Sequence, residues 1–280
     1  MSGAAAPTLA RALALATARL RAAGIETPER DARRLLAFSQ GIAADRLSLH
    51  LPDPLTRPEA LETALAAREA RRPVSQIVGQ RLFWGRQFRV TADVLDPRPE
   101  TEELVAAALE APFSRVLDLG TGSGCLLLSL LGERPSATGL GVDLSAKALA
   151  VAEENSATLG IKADFCVSDW FSTVSGSFDL IVSNPPYIAA HEMPGLDPEP
   201  RLWEPRMALT DEGDGLGAYR AIAAGAMAHL APGGRLLVEI GPTQGAAVAA
   251  LLAAQGLDIR GVRADLDGRD RVVLADRQLR

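Results

Sequence analysis

Beyond residue 112 the chain alternates strand and helix patterns, and that alternation restricts its fold more than any other feature. Arg115 to Leu119, Thr138 to Val142, Ala163 to Val167, Phe178 to Ser183 and Arg235 to Ile240 are short, apolar and β-prone. Between them, Cys125 to Leu131, Ala146 to Leu159, Ala218 to Leu230 and Gln244 to Ala254 carry helical patterns. Strands that are apolar on both faces and separated by helices demand a mostly parallel sheet covered on both sides. Leu257 to Val262 and Arg271 to Ala275 are expected to close one edge as a β-pair.

Upstream the periodicity differs. Thr8 to Ala23 places Leu9, Leu13, Ala16 and Leu20 on one helical face and ends at Gly24, a left-handed cap. Thr27-Pro28-Glu29 starts a second helix, with proline at its first position, that stops near Gly41. A third runs from Pro58 to Arg71, with Leu61, Leu65 and Ala66 facing inward and Thr56 as a candidate cap. Short helices on short loops predict a small bundle over residues 1–75. Gln80 to Trp84 and Gln87 to Thr91 flank Gly85-Arg86 as a hairpin. Residues 76–99 are therefore assigned as a linker and 100–280 as the large domain.

Charge follows the same division. Residues 1–99 hold 15 arginines against 10 acids, and residues 100–280 hold 14 basic against 25 acidic residues. A basic small domain beside an acidic large one suits docking of an acidic partner, although a solvated surface explains most such charges. The two cysteines, Cys125 and Cys166, lie in apolar stretches and read as small core residues in a reducing compartment. Arginines at helical spacing interrupt the alanine-rich N-terminus, so neither a signal peptide nor a membrane span is expected.

Three loops at strand ends carry the chemistry. Asp118-Leu119-Gly120-Thr121-Gly122-Ser123-Gly124 joins the first strand of the alternating region to a helix, where glycines admit a ligand to the backbone and the helix N-terminus offers free N–H groups. A dinucleotide fingerprint fails here, because Cys125 and Leu127 occupy the positions that would need glycine. The G-x-G-x-G run with a preceding acid resembles the first motif of class I S-adenosylmethionine methyltransferases, with Gly120, Thr121, Gly122, Ser123 and Gly124 as the cofactor loop. Asp143, at the next strand end, suits the ribose hydroxyls; its alternative role as helix cap competes with Ser145. Trp170, after the third strand, suits the adenine.

The fourth strand ends in Asn184-Pro185-Pro186-Tyr187. Both prolines fix their own φ and hold the preceding residue extended. The tetrapeptide resembles the motif of methyltransferases that modify a planar amino or amide nitrogen. If the Asn184 side-chain oxygen and the Pro185 carbonyl accept the two N–H bonds of such a group, its lone pair turns toward the methyl donor. Tyr187 would pack on the flat group, and Pro186 would complete the substrate wall.

Together with Phe83-Trp84-Gly85, Pro97-Arg98-Pro99-Glu100-Thr101-Glu102, Glu204-Pro205, Gly213 to Leu216, Pro232-Gly233-Gly234 and Glu239-Ile240-Gly241, these motifs make nearly the whole chain resemble the HemK family. Those enzymes are protein-(glutamine-N5) methyltransferases that modify the Gly-Gly-Gln motif of class I peptide chain release factors. The resemblance implies a Rossmann-like α/β fold with a mostly parallel seven-stranded sheet and a small N-terminal helical bundle that docks the substrate. It implies S-adenosylmethionine as cofactor, S-adenosylhomocysteine as product, and no metal. Asn184, Pro185 and Tyr187 would be catalytic; Gly120 to Gly124, Asp143, Trp170 and Asn184 would hold the cofactor; Asn184 to Tyr187 would hold the substrate. A cytoplasmic monomer that contacts release factors, and neither nucleic acid nor membrane, is expected. Asp96 stands where relatives often carry an apolar residue. An adenine N6 methyltransferase is the main alternative, disfavoured by the acidic large domain. No role is assigned to Arg98, Glu100 or Glu239.

Overall fold

The computed structural model describes residues 6–278 and divides into two units. One runs up to Gly79 and takes in Asp197–Trp203; the other holds Gln80–Leu196 and the chain from Glu204 onward.

In the first unit, α1 (Leu9–Ala22), α2 (Pro28–Gln40), α3 (Pro58–Glu69) and the short α4 (Val74–Val78) enclose a core of Leu9, Leu20, Leu35, Leu36, Leu47 and Leu65. Thr8 caps α1 by accepting from the Arg11 N–H, and Gly24 and Gly41 take positive φ just past α1 and α2. Thr56 is not the cap of α3. Its hydroxyl and N–H both bond the Gln40 side chain, and Arg57 precedes the helix without a side-chain cap.

The second unit opens with a hairpin, β1 (Gln80–Phe83) and β2 (Arg86–Arg89), paired in register from Gln80↔Arg89 to Phe83↔Arg86. Its turn is Trp84-Gly85, one residue earlier than the sequence suggested, with both residues at positive φ. Glu102 holds that turn by accepting the Trp84 N–H at 2.8 Å. The hairpin is not a linker, because Phe83 and Phe88 are buried in the same core as Val105, Leu127 and Leu180.

Continuing along the chain, α5 (Glu102–Leu109), β3 (Arg115–Leu119), α6 (Cys125–Glu133), β4 (Thr138–Asp143), α7 (Ala146–Leu159), β5 (Asp164–Val167) and β6 (Phe178–Ser183) follow in alternation. After α8 (Pro198–Trp203), which belongs to the first unit, come α9 (Gly217–His229), β7 (Leu230–Glu239), α10 (Gly245–Ala254), β8 (Asp258–Ala264) and β9 (Asp270–Asp276). The sheet order is β5-β4-β3-β6-β7-β9-β8, with β9 running antiparallel between β7 and β8 and the other strands sharing one direction. Chain order reverses at β3, with β4 and β5 on one side and β6 and β7 on the other. In such sheets ligands bind beyond the strand C-termini at that reversal. Register aligns those ends: Leu119 pairs with both Val142 and Ser183, and Ser183 with Val238. Among the described residues no helix is long and apolar enough to cross a membrane.

Candidate functional site

A cavity enclosing about 1060 Å³, its open mouth included, lies at these strand ends. Its wall includes Gly120 to Ser123, Asp143, Trp170, Asn184 and Pro186, together with Arg98, Thr101 and Cys125. Of the residues expected to form the site, the structure brings eight to one surface and leaves three behind it.

The glycine loop folds back over β4, where the N–H groups of Gly120 and Thr121 both bond the Val142 carbonyl, at 2.8 and 2.9 Å. Gly120 and Gly122 have φ of 71° and 55°, and a Cβ at either would project into open space. Only glycine reaches such φ without strain, and the space kept clear is what a ligand needs to approach the backbone. Gly124 differs. A Cβ there would meet the Ala152 Cβ at 3.2 Å, so it permits close packing of α6 on α7 and does not line the cavity.

Asp118 lies under the loop, fully buried, accepting from the Thr121 hydroxyl at 2.7 Å while its Oδ1 has no hydrogen-bond partner. Burial pushes its carboxyl up to about 7, and the Thr121 bond opposes this. Asp143 accepts the Gly122 N–H and the Ser145 N–H, each at 2.9 Å. Ser145, accepting from the Ala148 N–H, is the cap of α7, which frees Asp143 from that role. Burial again raises the Asp143 carboxyl, against those N–H bonds. Trp170 lines the wall at φ 50°.

Asn184 is half-buried and donates its Nδ2 to the Thr101 hydroxyl at 3.2 Å. The amide is thereby oriented, leaving Oδ1 as an acceptor. Pro185 is buried and Tyr187 is not part of the cavity wall. The Tyr187 ring packs toward Gly241, its carbonyl accepts from Gln244 Nε2 at 2.9 Å, and burial lifts its phenol to about 12. The structure thus shows Tyr187 anchoring the loop.

Sequence reasoning left Arg98, Thr101, Glu204 and Glu239 without roles. Arg98 forms a two-oxygen bond to the buried Glu204, at 2.7 and 2.8 Å. Asp96 is buried beside Arg81 and Arg98, at 3.6 and 4.0 Å, so its charge is compensated. The usable signal was an acid ending a buried strand, shared by Asp118 near the end of β3 and Glu239 at the end of β7. Neither cysteine is fully buried, and Cys125 lines the cavity; its small side chain leaves room where a larger apolar residue would intrude.

S-adenosylmethionine fits these residues. The open glycine cradle faces the same space as the Asp143 carboxyl group.

Two family models match the chain, the methyltransferase small domain over residues 95–196 and the PrmC N-terminal domain over residues 11–79. A release factor glutamine methyltransferase of Cereibacter sphaeroides is 63% identical over 271 residues, covering 95% of this chain and 97% of that protein. Another, from Rhodospirillum rubrum, is 47% identical over 268 residues, covering 93% and 82%. Among solved structures, a methyltransferase from Pyrococcus furiosus superposes with a TM-score of 0.53 at 14% identity, over 68% of this chain and 88% of that one. That likeness shows the shared fold alone.

Proposed function

The chain belongs to the release factor glutamine methyltransferase family, and we propose that it transfers a methyl group from S-adenosylmethionine to N5 of the glutamine in the Gly-Gly-Gln motif of class I release factors. One observation carries the reading at the level of the site: Asn184, its amide oriented by Thr101, shares a cavity with an open glycine cradle and Asp143. S-adenosylmethionine, when bound, supplies a methyl group on a positively charged sulfur that is a good leaving group.

The protein's own part is binding and orientation. The open loop from Gly120 to Ser123 would cradle the amino-acid end of the cofactor, Asp143 would accept from the ribose hydroxyls, and Trp170 would flank the adenine. An amide nitrogen is a poor nucleophile, because its lone pair is delocalised into the carbonyl. Asn184 Oδ1 and the Pro185 carbonyl, each accepting one N–H, fix the glutamine amide so that this lone pair faces the methyl group. Pro186 bounds the slot, and Tyr187 with Gln244 fixes the loop that carries all three.

The reaction requires no nucleic acid or membrane contact, and the enzyme acts as a cytoplasmic monomer, with the helical unit docking the release factor. Mass spectrometry of a release factor incubated with the enzyme and S-adenosylmethionine tests the reading. One added methyl on the Gly-Gly-Gln glutamine is expected. An unmodified glutamine together with methylated adenine in supplied DNA or RNA would overturn it.

A further inference from the structure

We infer that Gln244 is a positioning residue for methyl transfer. From outside the cavity wall it supplies the hydrogen-bond donor that the two prolines of Asn184-Pro185-Pro186-Tyr187 lack, and so sets the direction of the Pro185 carbonyl. The inference rests on the role given to Asn184 and Pro185 above and names the group that enforces it.

Proline carries no backbone N–H, so Pro185 and Pro186 donate nothing that would hold them in place. At one end of the pair, the Ser183 hydroxyl donates to the Leu119 carbonyl at 2.7 Å and Asn184 donates to the Thr101 hydroxyl at 3.2 Å. At the other end, the Tyr187 carbonyl accepts from Gln244 Nε2 and the Ile188 N–H donates to the Leu209 carbonyl, each at 2.9 Å. The stiff dipeptide is strung between these two ends. Moving either one turns the Pro185 carbonyl.

The Gln244 amide has one orientation that its neighbours permit. Oε1 accepts the Gly241 N–H at 2.9 Å, and Nε2 donates to the carbonyls of Tyr187 and, at 3.3 Å, Gly215. A backbone N–H only donates and a carbonyl only accepts, so a flipped amide would set donor against donor and acceptor against acceptor.

Gly215 closes on the same carbonyl. A Cβ at this position, whose φ is 78°, would lie 2.5 Å from the Tyr187 carbonyl oxygen, so only glycine lets the turn rest against the loop. Asp211 builds that turn. Its Oδ1 accepts the N–H groups of Gly213 and Gly215 at 2.9 and 3.0 Å, and its Oδ2 accepts that of Gly217 at 2.7 Å. The Gly213 carbonyl in turn accepts the Ala190 N–H at 2.9 Å. Gln244 and the Asp211 turn therefore confine one end of the proline pair from outside the cavity.

Steady-state kinetics with a release factor, S-adenosylhomocysteine affinity by calorimetry and thermal unfolding of single variants test this. Gln244→Glu keeps the shape of the side chain but turns a carboxylate oxygen toward the two carbonyls. It should lower kcat about ten- to a hundredfold, the cost of displacing a positioning group by about 1 Å, with KM and the calorimetric affinity near wild type. Gln244→Met, which removes the donors without adding a charge, should lower kcat in the same way and carries the test if Gln244→Glu does not fold. Gly215→Ala, which drives a methyl group against the Tyr187 carbonyl, should reproduce the fall. Gly256→Ala imposes backbone strain of the same kind, at φ 86° with no described atom within 4 Å of the added carbon, and should leave kcat unchanged. Wild-type kcat in Gln244→Met and Gly215→Ala, beside a crippled Asn184→Ala, would overturn the positioning role and leave the Asn184 reading standing. An equal fall in Gly256→Ala, or a loss confined to KM, would overturn it too. An active Asn184→Ala would overturn both readings.

Discussion

The two units differ in whether every buried acid has a cation. In the helical unit Asp31 is buried against Arg68 at 2.8 Å, and Arg68 bonds Glu199 of α8 at 2.9 Å. Arg19 spans Glu62 and Glu69, and Arg21 meets Glu29. Much of the positive charge that set this region apart in sequence is thus neutralised within it. The methyltransferase unit instead buries Asp118 and Glu239 with an unpartnered oxygen each, both pushed up to about 7. The helical unit's buried acid is ion-paired; the methyltransferase unit pairs Glu204 and Asp96 with arginines but, among the described residues, leaves Asp118 and Glu239 without one, as expected where function overrides local optimisation.

The largest expected effect tests the stability half of this contrast. Asp31→Ala removes one of the two carboxylates that hold the buried Arg68 guanidinium and should destabilise the helical unit by about 3 kcal/mol, the low end for breaking a buried pair. Hydrogen exchange of α2 and α3 amides would register it, with α6 and α7 unaffected. A loss below about 1 kcal/mol, the range of a surface pair, would place this network among the decorative ones.

Next in size is the catalytic half. Asn184→Ala should lower kcat by about two to three orders of magnitude, the cost of removing one positioned hydrogen-bonding group, with thermal unfolding unchanged. Near-normal turnover would mean that another group orients the glutamine amide. A large fall in unfolding temperature would show Asn184 to be a structural residue and blur the contrast.

Much of this division is legible in the sequence, because local signals fix it. Alternating apolar strands and helices give the parallel sheet, Gly24 and Gly41 give the helix ends, and the Gly120 to Gly124 run and Asn184-Pro185-Pro186-Tyr187 mark two strand termini. What escapes is contact between distant residues. Asp197–Trp203 lies inside the methyltransferase sequence but packs with the helical unit, where the Gln76 side chain donates to the Trp203 carbonyl and the Trp203 indole to the Ala70 carbonyl, at 2.8 and 3.0 Å. No periodicity in so short a helix reveals that. Thr101 and Asn184 converge from separate elements, and no spacing rule links them. Gly124 and Tyr187 sit in the right motifs but turn to packing and anchoring, a distinction that only the neighbours Ala152 and Gln244 disclose.

Acidity sharpens the comparison further. Asp118 has its carboxyl raised from about 4 in the unfolded chain to about 7 in the fold. Between those values the folded state binds more protons, so this group's contribution to stability falls as pH rises and levels off above 7. Glu199 behaves oppositely: burial alone would raise it, but the Arg68 hydrogen bond, a backbone N–H and the charges of Arg68 and Arg71 together hold it below the usual range. Its contribution is present above its unfolded pKa and lost as pH falls through the folded one. Asp118→Asn should therefore stabilise the methyltransferase unit at pH 8 relative to pH 4.5, and Glu199→Gln should destabilise the helical unit at pH 8 while mattering less in acid. Unfolding curves of both variants at the two pH values test the signs. Identical pH responses would mean that the two units do not differ in how they hold protons.

The smallest effect concerns the charge that the helical unit does not consume. Arg11 and Arg46 are exposed, outside the Asp31, Glu62, Glu69 and Glu199 network, and are free to meet an acidic surface on a docked release factor. Reversing both to glutamate should raise KM for the protein substrate by about two- to fivefold per residue, the worth of an exposed ion pair, and the rise should shrink at high salt. Turnover of a short Gly-Gly-Gln peptide should not change, and neither should kcat on the intact protein. That pattern assigns recognition to one unit and chemistry to the other. A KM that ignores both reversals would return these arginines to the solvated surface; a fall in kcat on the peptide would mean that the helical unit acts on the chemical step itself, and the division between the two regions would have to be redrawn.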